Sequence, residues 1–292
     1  MATSPDLTIY APMTDAEEYA EVFLRSAAQH GASHLYHMTM SILVGDSTDD
    51  TLGVCRAFAS KLPFECRVRS LNDLSENSRS EIRAIVDSND GFYNEGIVDW
   101  LVNENLEQCT YYAGMHVDLA FHRSGLWDEL LAKMITTGAD VAGVFAPGEL
   151  MTSQGIMFMT PPRLFPVVTL CHRERARALG VRWSRPCSTP SRRDRLIVDN
   201  GTLALEALMS NQAVDLGATF LPITMDYLEE FIEHFGFLWT RKFPSSVHEH
   251  DGERSRERVR AELTRLSGLS AKTIDSGRQV DLPSSNRLLR RE

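Results

Sequence analysis

Residues 111–123 read Tyr-Tyr-Ala-Gly-Met-His-Val-Asp-Leu-Ala-Phe-His-Arg. An apolar run of strand character leads directly into His116-Val117-Asp118, and the periodicity that follows predicts a helix over Trp127 to Thr137. A carboxylate at the C-terminal end of a central strand is held rigidly while facing an open crevice, which is where open α/β sheets bind ligands. An oxygen donor there suits a hard cation carrying phosphates. The competing reading makes Asp118 the N-cap of the next helix, a position that aspartate favours.

Outward from this segment, strands and helices alternate. Strands are predicted at Leu7 to Tyr10, Met38 to Val44, Cys66 to Leu71 and Asp140 to Phe145, with helices at Ala16 to His30, Thr51 to Ser60, Glu76 to Ser88 and Asn94 to Leu106. Thr14 or Asp15 is the expected cap of the first helix. Such alternation argues for crossover units and a mainly parallel central sheet flanked by helices, an α/β fold. From Met157 onward the pattern is less regular and is punctuated by Pro161, Pro162, Pro166, Pro186 and Pro190. Helices are expected at Gly201 to Asn211 and Met225 to Phe235, with a short strand at Ala218 to Pro222. Beyond about Ser245 the chain turns polar, with an amphipathic helix at Arg254 to Leu266. The division expected is therefore 1–245, with halves 1–150 and 151–245, and a polar, partly helical or flexible tail over 246–292.

Composition narrows the class. The chain of 292 residues is 43% hydrophobic and 24% charged, ordinary for a globular protein, and carries a formal net charge of -10. That charge argues against a nucleic-acid partner. The five cysteines form no CxxC pair, as in a reduced, cytoplasmic protein. Met1 to Asp6 has no basic, apolar leader, and no apolar run reaches the roughly 20 residues of a membrane span.

Four segments, taken in order over roughly residues 7–240, resemble the nucleotide-sugar-dependent glycosyltransferases of GT-A (Rossmann-like) fold, specifically the family 2-like group. Ile42-Leu43-Val44-Gly45-Asp46-Ser47-Thr48-Asp49-Asp50-Thr51 is similar to that group's strand-end motif, and Asn89-Asp90-Gly91 with Asn94-Glu95-Gly96 to its donor loop. His116-Val117-Asp118 stands where the group has its Asp-X-Asp metal motif. Asp199-Asn200, ahead of a Leu/Ala helix, resembles the acidic pair before the acceptor-side helix.

The resemblance implies a nucleotide-sugar donor, an acceptor hydroxyl of unspecified origin in a less regular acceptor-side half, and a divalent cation, Mn2+ or Mg2+. Breaking the bond between the anomeric carbon and the diphosphate leaves negative charge on the departing phosphates, which a metal neutralises. Asp118 is the metal-ligand candidate. His116 departs from the motif, and is either a contact to ribose or phosphate or a structural histidine; imidazole suits Mn2+ better than Mg2+. Asp46 is expected to recognise the base or ribose, with Asp49 as its rival and local turn capping as the alternative. Ala11 and Pro12 are expected against the base, and Asn89, Gly91 and Asn94 along the donor. Asp199 is the candidate general base of an inverting transfer, or else caps the helix after it. His234 fits a late metal ligand better than His248 or His250, the alternative being a structural histidine near a helix end. The arginines between 173 and 195 form the one basic cluster, read first as a solvated face. Two other classes remain in view: a nucleotidyltransferase, disfavoured because Ile9 to Ala16 lacks a Gly-rich phosphate loop, and a non-catalytic domain of glycosyltransferase shape. A homodimer through the Met225 to Phe235 segment is a further expectation.

Overall fold

The computed structural model describes residues 6–88, 93–103, 109–153, 156–160, 162–183, 202–235 and 249–275. The chain opens with β1 (Leu7–Tyr10), α1 (Glu17–His30), β2 (Met38–Val44), α2 (Thr51–Ala59) and β3 (Glu65–Ser70). After a single 3-10 turn come α3 (Glu76–Ser88), α4 (Tyr93–Asn103), β4 (Tyr111–Met115), β5 (Leu119–Phe121), α5 (Leu126–Thr137) and β6 (Val141–Ala146). The second half contributes β7 (Glu149–Ser153), β8 (Ile156–Thr160), β9 (Arg163–His172), α6 (Arg173–Ala178), α7 (Thr202–Leu208) and α8 (Asn211–Asp215). It closes with β10 (Phe220–Ile223), α9 (Met225–Glu229), β11 (Ile232–His234) and α10 (Glu249–Asp275).

Seven strands form the central sheet in the order β10-β6-β9-β4-β1-β2-β3. Four of its six pairings are parallel, and only β9 runs against its neighbours β4 and β6. The expected mainly parallel α/β sheet is therefore observed. Both faces are covered, and the strands feed them alternately. Ile9, Ile42 and Ala113 join one cluster with Phe23 of α1 and Trp127 of α5. Tyr10, Leu43 and Tyr112 join a second with Ile82 of α3, Leu101 of α4 and Leu205 of α7. Burial on both faces explains why β1 and β2 read as continuous apolar runs without alternating polar positions.

The order of the strands fixes where a ligand fits. Successive strands step from β1 to β2 to β3 in one direction, and β4 then returns to the other side of β1. The reversal leaves a crevice at the C-terminal ends of β1 and β4, the switch point at which open α/β sheets bind ligands.

Two helix starts beside that crevice are closed by side chains from across the loop. Ala16 N–H donates to Thr51 Oγ1 at 2.8 Å, and Glu17 N–H to Asp49 Oδ2 at 3.1 Å. In return Asp50 N–H donates to Glu17 Oε2 at 3.3 Å. Neither Thr14 nor Asp15 caps α1 as expected; its N-cap is Ala16, without a side-chain cap of its own. Asp15, at a φ of 47°, instead accepts the Thr48 N–H at 2.6 Å.

Three further expectations are corrected. The helix over Met225 to Phe235 stops at Glu229, and Ile232–His234 is a strand paired antiparallel to β5. Its apolar residues Leu228, Phe231, Ile232 and Phe235 are buried within the chain, while Met225 and Tyr227 are partly exposed. The region from Met157, expected to be less regular, supplies the ten-residue β9 in the interior of the sheet, between β6 and β4. The C-terminal helix is longer than expected and packs on α1, with Val259 and Leu266 buried and Ser255 Oγ 3.0 Å from Tyr19 Oη. Among the described residues, no helix is long and apolar enough to cross a membrane.

Candidate metal centre

β4 ends at Met115, and the chain continues through His116, Val117 and Asp118 before pairing again as β5. Its partner β11 brings His234 opposite Leu119, and the Phe235 N–H donates to the Asp118 carbonyl at 2.8 Å. This small two-stranded ribbon is the device that makes the site. Residues 116 and residues beyond 230 meet because Leu119–Phe121 and Ile232–His234 share a ladder. Asp118 does not cap a helix, since the residue preceding α5 is Gly125, in a left-handed conformation at φ 99°.

Three donors result. His116 Nδ1 lies 3.7 Å and His234 Nε2 3.3 Å from the same carboxylate oxygen, Asp118 Oδ1. One ligand atom from each residue lies within 4.8 Å of the other two. Asp118 is 5% exposed. Burial alone pushes its carboxyl pKa up, but the neighbouring His234 and His116 more than offset this and bring it down to about 2. The group is therefore a carboxylate at neutral pH, as a ligand must be.

His234 Nε2 is buried and has no hydrogen-bond partner among the described residues, even though Asp118 Oδ1 is near. The two atoms are close without being aligned. A buried polar nitrogen left in this way costs free energy unless something else binds it. Two donors each about 2.1 Å from one ion stand at most about 4.2 Å apart; the 3.3 and 3.7 Å separations from Asp118 Oδ1 fall inside that limit, while the two imidazole nitrogens lie within 4.8 Å of each other. Two imidazoles and one carboxylate favour Mn2+ and the later first-row ions over Mg2+, which prefers oxygen and water.

Other residues singled out in the sequence fall at varying distances from this centre. Ala11 and Pro12 continue β1 on the other side of the switch point, and both are buried. Asp46 follows β2, one strand further along; it is exposed and lies 3.7 Å from Arg83. Its rival Asp49 is engaged in capping, accepting from Glu17 N–H and Thr51 N–H. Asn94 lies in α4. Asn89, Gly91 and Asp199 lie outside the described residues. Within the basic cluster, Arg173 is buried, and Arg175 bonds both oxygens of Asp140 and the Leu216 carbonyl. These two are parts of the framework and not a solvated face.

One residue at the centre escaped notice in the sequence. The ring of Phe165 stands 6.2 Å from that of His116 and 6.2 Å from that of His234, edge-on to both. The only local signal was Pro166 beside it, which read as the end of regular structure.

No protein-family model matches the chain, and no curated protein matches it. Solved structures resemble it in layout. A mannosyltransferase from Pyrobaculum calidifontis, in complex with GDP-Man and Mn2+, shares 10% identity over 95% of this chain and 77% of that one, with a TM-score of 0.48. TarS from S. aureus shares 14% identity over 75% of this chain and 35% of that one, with a TM-score of 0.45. Xyloside xylosyltransferase 1 from mouse, in its apo form, shares 16% identity over 59% of this chain and 68% of that one, at 0.37. This chain thus matches about a third of the length of TarS. All three likenesses are of layout alone and assign no residue.

Proposed function

We propose that this protein is a metal-dependent glycosyltransferase of GT-A fold that moves a sugar from a nucleotide-sugar donor to an acceptor hydroxyl, with inversion. The assignment is carried by one observation: His116, Asp118 and His234 converge at the switch point of a doubly covered, mainly parallel sheet. His116, Asp118 and His234 would hold the ion, and their donor set suits Mn2+ better than Mg2+. When bound, a divalent cation supplies Lewis-acid neutralisation of a departing diphosphate.

The chain's own contribution follows from its geometry. Asp118 remains ionised and buried, and the β5–β11 ladder holds it beside His234 before any ligand arrives. The starts of α1 and α2, which would otherwise attract phosphate, are occupied by Asp49, Thr51 and Glu17. Phosphate recognition by those helix ends is thereby disfavoured, which counts against a nucleotidyltransferase built on a phosphate loop and leaves charge neutralisation to the three-donor centre. In the proposed transfer the acceptor oxygen bonds to the anomeric carbon as the bond from that carbon to the diphosphate oxygen breaks. Asp199 takes the acceptor's hydroxyl proton.

The test is thermal stability of the purified protein against nucleoside diphosphates and nucleotide sugars, with and without Mn2+. A ligand that binds only the folded state raises the melting temperature by mass action. A rise that needs both one nucleotide and Mn2+ is expected. No rise with any member of the panel would overturn the proposal and favour a non-catalytic domain.

A further inference from the structure

The path of β9 explains how Phe165 reaches the centre. Against β6 the register runs Gly143 to Thr169, then jumps to Val144 opposite Phe165. Three residues, Pro166, Val167 and Val168, are thus looped out of the β6 ladder. They stay engaged on the other side: Val168 pairs with Met115, and His116 N–H donates to the Val167 carbonyl at 3.0 Å. Proline has no N–H to give a ladder and is tolerated inside sheets mainly at such bulges. Bulges bend a strand and re-aim the side chains next to them. Here the bulge carries β9 along the continuation of β4, towards His116.

The product is a ring wedged beside two imidazoles. His116, Phe165 and His234 have centroids 5.9 to 6.2 Å apart in every pair, with Phe165 at 66° and 76° to the two histidine rings. Edge-on aromatic packing at this spacing is favourable and directional. His234 Nε2 approaches Asp118 Oδ1 at 3.3 Å without an aligned hydrogen bond among the described residues, so that contact fixes its rotation only loosely. The Phe165 edge is therefore a restraint on the plane of that ring, and it supplies an apolar wall on one side of the three donors. Apolar walls and outer contacts that orient ligating histidines commonly govern metal affinity as strongly as some ligands do.

From this arrangement we infer that Phe165 is a positioning residue of the candidate metal centre, holding the His116 and His234 rings so that their nitrogens stay close to Asp118 Oδ1 before an ion binds. The inference rests on the metal reading of the site given above. It makes Phe165 a determinant of affinity and ligand geometry although it has no donor atom of its own.

The experiment is a titration of the full chain with Mn2+, and with Co2+ followed by its visible absorption, for the wild type, Phe165→Ala and Phe165→Leu. Phe145→Ala, an exposed aromatic on the neighbouring β6, serves as the control. Phe165→Ala is expected to weaken Mn2+ binding about tenfold or more and to change the Co2+ spectrum. Phe165→Leu keeps apolar bulk without a ring edge and is expected to fall between it and the wild type. Should both Phe165 variants bind Mn2+ as tightly as the wild type with an unaltered Co2+ spectrum, the positioning role is overturned while the metal site stands. A wild-type chain that binds neither ion would overturn the metal reading and this inference together.

Discussion

The carbonyl of Asp118 accepts the N–H of Phe235 at 2.8 Å, so a main-chain bond fixes the separation of Asp118 from His234. A site built this way is preformed. Removing a ligand side chain should leave the ribbon intact and abolish only what binds between the donors. Asp118→Asn and His234→Ala are accordingly expected to lose the Mn2+-dependent rise in melting temperature. Their metal-free melting temperatures should stay within about 3 °C of the wild type, the scale of roughly 1 kcal/mol in a domain of about 150–250 residues. Retention of the full Mn2+ effect by Asp118→Asn would remove Asp118 from the site.

Acid pH should report on the same carboxylate. In the folded chain its pKa is lowered to about 2 from the ordinary 3.8. A depressed acid contributes stability that is present above its unfolded pKa and is lost as the pH falls through the folded one. Without metal, the stability of the wild type relative to Asp118→Asn is expected to fall by about 1 kcal/mol between pH 5 and pH 3. Urea denaturation of both proteins at the two pH values measures it. A constant difference would mean that the histidines do not hold the proton off Asp118.

Asp140 anchors the edge of the sheet. It receives Arg175 Nε at 2.8 Å and the Thr219 N–H at 3.1 Å, immediately before β10 begins. Asp140→Ala leaves that backbone donor and a partly exposed guanidinium without the carboxylate, a loss of about 2 kcal/mol. Hydrogen exchange across Phe220–Ile223 should accelerate more than exchange in β1. Uniform acceleration would show that β10 is not anchored locally.

The C-terminal helix contributes to the core through Val259 and Leu266, each 1% exposed or less. Leu266→Ala is expected to destabilise the protein by about 2–5 kcal/mol, as a leucine deletion does at a buried site. Chemical denaturation would detect it. A change below about 0.5 kcal/mol, typical of a surface position, would show that α10 is not docked in solution.

Much of the sheet was legible because burial on both faces leaves a plain signal. β2 was read as Met38 to Val44 and is Met38–Val44. What escaped depended on partners distant in sequence. Leu228, Phe231, Ile232 and Phe235 fall at helical spacing, yet β5 captures Ile232–His234 as a strand. Three residues are too few for a period of two to declare itself. β9 was hidden by Pro166, whose normal meaning in a central strand is exclusion; only the bulge against β6 reconciles the two. At the candidate centre, Asp118 was singled out from its place after an apolar strand and His234 as a late histidine, and the fold brings the two together. Phe165 was not, because its role arises from the register of three strands and from no motif.

The position of β9 also constrains the order in which this chain can assemble. β4 and β6 are separated in the sheet by a strand made after both of them. Residues up to 115 can pair β1, β2, β3 and β4 as they leave the ribosome. β6 then has no place on that sheet until residues 163–172 have been synthesised and inserted between it and β4. For that interval two strand edges stand open, the condition in which a nascent chain is most exposed to mispairing. β9 is thus the keystone of the nascent sheet, and the bulge that aims Phe165 at the candidate metal centre must form in the same step that closes it.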